Sequence, residues 1–461
     1  MKYGKHGYQD LTTGSIWKKI VLFALPLLLS SLVQQLYNTV DLIFAGNLID
    51  SNASAAIGMS GMLITCLVGF FGGMSVGAGV VIARSYGNED YDGLRRAIHS
   101  TVALCGIGSI LLLVLGEVLT PIYLRLVHTP DALLSMAMEY LRIYFISMPA
   151  IVFYNLCSGM LRSLGDSRST LVAQVAGGLF NVLADWLFIA RLHCGVAGAA
   201  WATLISQTIS SAYVVYQLKK LDGPYALKLS QVHLDRGVLR ETLRIGIPAG
   251  IQSLVITLSN VFVQYHINRL GGSAIAALTA YFKIELIVYF PIMALGQAMM
   301  TFVGQNMGAG KPERVRLGMW ECLGVGIGLS LLLSALGLLG GRLLFSAFYS
   351  DEVAIALGLR IMATTFPFYF IYCFLEIPGD ALRGMGESGR PMLIVIINMC
   401  LLRTALLFMI VTRWPDVCGI AVCYPITWMV TGACMMVCWL KCTSKILTVS
   451  GRDRYNNAQG R

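Results

Sequence analysis

The sequence predicts an all-α integral membrane protein, with twelve transmembrane helices in two pseudo-symmetric six-helix lobes. Three observations lead there. Charged residues make up only 13% of the 461 positions, about half the share found in a soluble domain. Twelve apolar stretches are long enough to cross a bilayer, which takes about 20 residues. The chain also repeats itself, with Pro26 opposite Pro248 and Asn38 opposite Asn260 at a spacing of 222.

The repeat pairs residues 16–107 with 238–328. After a one-residue slip, Ala83-Arg84-Ser85-Tyr86-Gly87 matches Gly304-Gln305-Asn306-Met307-Gly308, and Leu161-Arg162-Ser163-Leu164-Gly165-Asp166-Ser167 matches Leu382-Arg383-Gly384-Met385-Gly386-Glu387-Ser388. Solenoid units are about 20–50 residues long. A period this much longer suits half of a duplicated transporter.

In chain order the predicted spans are 16–45, 54–83, 96–120, 132–160, 168–190, 195–218, 240–267, 274–306, 316–340, 353–377, 391–412 and 418–440. The longer ones imply tilt or ends that project beyond the lipid. On the first, Gln34, Asn38 and Asp41 follow i, i+4, i+7 spacing and form one polar stripe. Gly69, Gly73 and Gly77 give the second a ridge of small residues for helix packing. Gln174, Gly178, Asn181 and Asp185 line one face of the fifth, and Thr203 and Gln207 pair on the sixth. Lys283 and Glu285 fall early in the eighth, beside the aromatics Tyr281, Phe282, Tyr289 and Phe290. Glu376 lies in the tenth and Arg403 in the eleventh. On the twelfth, Cys434, Cys438 and Cys442 recur along one face.

Of the 34 Lys and Arg residues, 25 fall in the N-terminal tail, the even-numbered loops and the C-terminal tail. The odd-numbered loops hold five: Arg125, Arg191, Arg269, Arg342 and Arg413. The positive-inside rule therefore predicts both termini in the cytoplasm of a plasma-membrane protein. Six helices per half is an even number, so the two halves share one orientation about an axis along the membrane normal. The expected organisation is an N-lobe over 1–218, a cytoplasmic linker over 219–236, a C-lobe over 237–443 and a polar cytoplasmic tail over 444–461. Turn-forming Asp222, Gly223 and Pro224 mark the linker. The N-terminus lacks the pattern of a removable signal peptide.

Several functions are excluded on chemical grounds. The formal charge of +10 is spread over many loops and forms no stripe with interleaved aromatics, so no nucleic-acid partner is expected. The twelve cysteines lie mostly inside apolar helices, without a Cys-x-x-Cys pair, and read as small buried residues. Gly384-Met385-Gly386-Glu387-Ser388-Gly389 fits G-x-G-x-x-G literally, but it follows a helix and reads as a turn. There is no Walker sequence, H-E-x-x-H or G-x-S-x-G, so neither covalent chemistry nor a cofactor is expected.

The chemistry rests on ionisable groups at membrane depth. Asp41, Asp185, Glu285 and Glu376 each sit within an apolar span. An acid at a helix centre costs about 2.5–3.5 kcal/mol on insertion scales, so each needs a local reason. Two carboxylates facing one poorly hydrated space repel, and desolvation also disfavours their charge. Such a pair can take a proton at one membrane face and release it at the other. With the Asn181 amide oxygen and the Thr203 hydroxyl it can equally ring a sodium ion, since hard cations favour oxygen. The plainer alternative is that these groups only bond helices together.

On these residues the chain resembles the multidrug and toxin extrusion (MATE) family over about 15–440. The resemblance is carried by Pro26 with Gln34 through Asp41, Ala45-Gly46, Arg84-Ser85-Tyr86-Gly87, Leu161 through Asp166, Asn181-x-x-x-Asp185, and Phe302 through Ala309. It implies a V-shaped pair of lobes around a cavity, worked by rocking between inward and outward states. It also implies antiport of organic, often cationic, small molecules against protons or sodium ions. In prokaryotic relatives the cation site lies in the N-lobe, and its motif falls here on Asp41, Asn181, Asp185 and Thr203.

The second half is not a copy of that site, because Val263 stands opposite Asp41 and no acid stands opposite Asp185. Gln34, Asn38, Asn260, Tyr281, Glu285, Glu376 and Arg403 are the expected substrate-cavity residues. Glu285 or Glu376 would attract a cation while Arg403 or Lys283 balances the other. The competing reading is a set of internal salt bridges. The expected partners are small organic substrates and the lipid bilayer, and the expected state is a monomer. Other readings are a flippase for a lipid-linked saccharide, which would want a strongly basic cavity and more helices, and a membrane-embedded enzyme, which would want a nucleophile or metal cluster.

Overall fold

The computed structural model describes residues 9–49, 51–221, 223 and 225–458, without the side chains of Ser51 and 447–458. The first eight residues of the N-terminal tail, the linker positions Asp222 and Pro224, and the end of the C-terminal tail from 459 lie outside the described residues. Helices account for nearly all of the described chain, and no strand occurs among the described residues. A bilayer offers backbone N–H and C=O groups no partner, so each span must satisfy its own through helical bonds.

The first half runs through α1 (Ile16–Leu48), α2 (Ser51–Gly87), α3 (Tyr91–Leu126), α4 (Asp131–Ile146), α5 (Met148–Ser163), α6 (Arg168–Asp185) and α7 (Gly195–Lys219). A π-helical turn, Trp186–Arg191, extends α6 beyond Asp185. The second half has α8 (Arg236–Asn268), α9 (Gly272–Ile284), α10 (Leu286–Gly308), α11 (Pro312–Ser346), α12 (Glu352–Thr365) and α13 (Tyr369–Gly384). It closes with α14 (Gly389–Val395), a π-helical stretch Ile396–Leu402, α15 (Arg403–Arg413), α16 (Val417–Ala421) and α17 (Cys423–Ala458). Pro26 and Pro248 lie at matching places inside α1 and α8.

Among the described residues ten helices are long and apolar enough to cross a membrane, and eleven if α4 and α5, bent by 48° at Ser147, form one span. The predicted sixth span is α7, a 25-residue helix at the expected place. It is less apolar than the others because Thr203, Ser206, Gln207 and Ser210 lie along it, and Thr203, Ser206 and Ser210 are buried. Other predicted spans are interrupted as well. The eighth breaks at Glu285 between α9 and α10, and the tenth is divided by a 3-10 turn at Phe366–Phe368.

The chain packs as two compact units. One is built from Leu25–Leu254 with Gln9 and Asp10. Its core gathers Leu94, Ile98, Phe145, Leu156 and Leu161 from α3, α4 and α5. The predicted ridge on α2 meets the first half of α8 inside this unit. A Cβ on Gly73 would stand 2.2 Å from the Gly250 nitrogen, and one on Gly77 would stand 2.2 Å from the Thr242 carbonyl. Only glycine permits backbones that close.

The other unit comprises Leu11–Ala24 and the chain from Val255 onward. In it α13 packs between α10 and α17, over the buried rings of Phe302, Phe366 and Trp439. The segment before α1 is fastened to α11. Arg314 Nη2 donates to the carbonyls of Thr13 and Gly14 at 2.9 and 2.8 Å. Lys311 Nζ donates to the Thr12 carbonyl at 2.9 Å, and Trp17 N–H to Glu321 at 2.9 Å.

Candidate cation and substrate sites

Asp41 of α1 and Asp185 of α6 lie within interaction range of each other, side chain to side chain, inside the first unit. The predicted stripes on α1 and α6 are what bring them together. Asp185 and Asn181, one turn apart on α6, are both fully buried. No hydrogen-bond donor or acceptor among the described residues partners Asp41 Oδ1, either Asp185 oxygen, or either amide atom of Asn181. Unpartnered polar atoms in so apolar a place are costly. Two carboxylates are both acceptors, so they satisfy each other only across a shared proton or a cation. The donor set is hard oxygen, which suits either. The π-helical turn begins at the residue after Asp185, a geometry that recurs at functional sites.

Thr203, the fourth predicted ligand, is buried on α7 next to α6. Its hydroxyl donates to the Ala199 carbonyl at 3.0 Å, one turn back in its own helix. That leaves its oxygen lone pairs free to accept, and no hydrogen bond joins it to either acid. Gln34 and Asn38, predicted beside Asp41, are exposed on α1.

Tyr37 is a member that the sequence reading missed. Its hydroxyl accepts from Gln174 Nε2 and Gln207 Nε2, both at 3.4 Å, which ties α1 to α6 and α7. Gln174 in turn accepts a hydrogen bond from Tyr154 of α5. Tyr140 and Tyr144 of α4, with their rings 5.8 Å apart, lie within electrostatic range of Asp41. Tyr37 precedes Asp41 by one helical turn, so position alone could have flagged it.

The second unit carries a different constellation. Glu285 occupies the break between α9 and α10 and accepts from the Tyr369 hydroxyl at 3.1 Å. Tyr281 is buried and donates to Thr365 at 2.9 Å. Arg403 is 2% exposed, lies 4.7 Å from the centre of the Tyr424 ring, and donates to Thr427 at 3.2 Å. Glu376 accepts from Tyr372 at 3.4 Å. Trp428 stacks among Tyr369, Tyr372 and Tyr424 with centroids 4.8, 5.6 and 5.9 Å away. Asn260 and Lys283 are exposed.

Among the described residues no salt bridge joins Glu285 or Glu376 to Arg403 or Lys283. Tyrosine hydroxyls hold the two glutamates instead. The salt bridge that does form at this end links Arg383 to Asp380, one turn beyond Glu376. Asp380 escaped the sequence reading because the tenth span was ended three residues short of it.

A family model described as MatE matches residues 26–187 and, again, residues 248–409. The chain belongs to the MatE family. Both matches start at the proline that marks the repeat, so each half carries the family pattern. Among relatives, the probable multidrug resistance protein YpnP of Bacillus subtilis is 29% identical over 398 residues, covering 86% of this chain and 88% of YpnP. The multidrug export protein MepA of Staphylococcus aureus (strain NCTC 8325 / PS 47) is 22% identical over 353 residues, covering 76% and 77%.

Solved structures agree on the fold. An outward-facing multidrug resistance MATE family transporter of the MOP superfamily matches with a TM-score of 0.90 and 24% identity, over 97% of this chain and all of the other. A MOP superfamily transporter from Pyrococcus furiosus matches with a TM-score of 0.90 and 23% identity, over 96% and 99%. As a MatE protein the chain is a multi-pass membrane transporter and not an enzyme.

Proposed function

We propose that this MatE protein is a secondary active multidrug antiporter of the plasma membrane. It exports organic, often cationic, compounds in exchange for protons or sodium ions by alternating access, as a monomer with both termini in the cytoplasm. No cofactor is needed beyond the coupling ion. Supporting the substrate class are the names of its relatives, which include multidrug resistance and multidrug export proteins. The carrying observation for coupling is the approach of half-buried Asp41 to fully buried Asp185, one turn from buried Asn181.

A cation between the two carboxyls cancels their repulsion and draws α1 toward α6. Its loss leaves two like charges in a dry place, which favours a different packing of the same helices. The ion drives transport only by its differential affinity for the two states. Tyr37, held by Gln174 and Gln207, has both lone pairs engaged, so its own proton is free to point toward the acids. The glutamates of the second unit, set among tyrosines and Trp428, suit a cationic aromatic substrate. In this reading the lobes are 1–218 and 237–443, joined by 219–236, and Gln34, Asn38, Asn260, Tyr281, Glu285, Glu376 and Arg403 meet the substrate.

The test is transport of a fluorescent organic cation in proteoliposomes. Wild type should move it when an inward proton or sodium gradient is imposed, and Asp41→Asn should not. Wild-type rates from Asp41→Asn would sink the coupling role of this pair.

A further inference from the structure

The segment between the two repeats folds back onto the start of α3. Lys228 N–H donates to His99 Nε2 at 3.2 Å. Ser100 Oγ donates to the His233 carbonyl at 3.2 Å and accepts from Asp235 N–H at 2.6 Å. His99 is 1% exposed, and its Nδ1 bonds the Arg95 carbonyl at 2.7 Å. With Nε2 accepting, the ring proton resides on Nδ1.

This pinning sets Gln231 and His233 opposite Arg95 and Arg96, around an open cavity of about 380 Å³ that these four residues line with His99. Two guanidinium groups on one wall of a cavity repel each other and attract an anion. The nearby acids are otherwise engaged. Asp92 meets Arg95 at 3.4 Å on an exposed face. Asp235 Oδ1 accepts the N–H groups of Val238 and Gly237 at 2.9 Å each. Those bonds, aided by the charges of Arg96 and His233, hold the Asp235 carboxyl below its usual range. Arg96 has no ion pair among the described residues.

Close in sequence to the residues that line the cavity stand exposed apolar side chains. Leu229 and Leu234 are 60% and 38% exposed, and Tyr91 is 38% exposed. Basic groups flanked by bare leucines suit the boundary between headgroups and acyl chains. We propose that this cavity binds the phosphate of an anionic phospholipid, with Arg95 and Arg96 donating to its oxygens, Gln231 and His233 closing over it, and Leu229 and Leu234 resting against the lipid. The ligand chemistry is a phosphate diester, and the exposed leucines that neighbour Gln231 and His233 in sequence favour a lipid over free phosphate. The site shares no residue with the acid pair.

The experiment is native mass spectrometry of detergent-solubilised protein titrated with phosphatidylglycerol, phosphatidylcholine or inorganic phosphate. Wild type should retain one phosphatidylglycerol in preference to phosphatidylcholine. In Arg95→Gln/Arg96→Gln that binding should weaken roughly thirtyfold, the factor expected for two surface arginines on an anionic headgroup. Arg95→Lys/Arg96→Lys should keep most of it, and Arg342→Gln, a control at a distant exposed ion pair, should keep all of it. Melting midpoints in phosphatidylcholine should match wild type for each variant, which separates binding from misfolding. Equal retention of the two lipids, competition by millimolar inorganic phosphate, or equal loss in the Arg342 control would overturn the assignment.

Discussion

Replacing one oxygen of Asp41 with an amide nitrogen changes the pair from two acceptors into a donor and an acceptor. Asp41→Asn can then bond Asp185 directly, without a proton or cation between them. Gradient-driven export should fall to background while the melting midpoint stays within a few degrees of wild type, as read by transport and thermal unfolding on one preparation. Tyr37→Phe tests the support of that pair. Gln174 and Gln207 would each lose an acceptor, at about 1–2 kcal/mol in all. The expected result is a higher half-saturating concentration of the coupling ion with an unchanged maximal rate; an unchanged ion dependence would remove Tyr37 from the site. Asp41, Asn181 and Asp185 were legible because a charge or amide in oil stands out against its neighbours. Tyr37 was not, since an aromatic in a spanning helix is ordinarily just apolar bulk. Thr203 is buried on α7, and its hydroxyl serves its own helix.

At the scale of helices, the small-residue ridge of α2 carries a specific expectation. A side chain at Gly73 would enter the backbone of Gly250 in α8, with no rotamer to relieve it. Gly73→Val should cost several kcal/mol, about 3 or more, by forcing the helices apart. Gly61→Val on the same helix meets nothing within 4 Å and should be tolerated, so comparing the folded yield and melting midpoint of the two variants decides the point. Helix existence was readable throughout, because a long run of apolar residues has few other fates in a bilayer. Breaks were not readable. The interruption at Glu285, the bend at Ser147 and the π-helical turn after Asp185 depend on which side chains the neighbouring helices present. The polar face that makes α7 less apolar is also the one that turns inward to α6, where Ser210 Oγ donates to the Ala173 carbonyl at 2.9 Å.

For the whole molecule, duplication explains both the likeness and the asymmetry of its halves. The two MatE matches begin at Pro26 and Pro248, so the frame was copied. The acids were not copied, since Val263 is buried where the repeat would place Asp41. One half therefore holds the paired aspartates, while the other holds glutamates among aromatic hydroxyls and a buried Arg403. Glu376→Gln should then shift the preference among transported compounds without removing the response to an imposed ion gradient. That outcome is checked by comparing export of a cationic and a neutral dye. The repeat and the placement of basic loops were visible in sequence because both are patterns over tens of residues. That asymmetry was visible only in part, because Glu285 meets Tyr369 of α13, and Trp428 of α17 meets Tyr369 and Tyr372, only once the helices pack.

The central claim is that Asp41 and Asp185 together exchange a cation for movement of the transporter. The most direct measurement is export of one organic cation from proteoliposomes under a proton gradient alone, then a sodium gradient alone, for wild type, Asp41→Asn and Asp185→Asn. The account predicts that at least one gradient accelerates wild-type export and that neither variant responds to it. Undiminished gradient-driven export by either variant, or wild-type export indifferent to both ions, would contradict it.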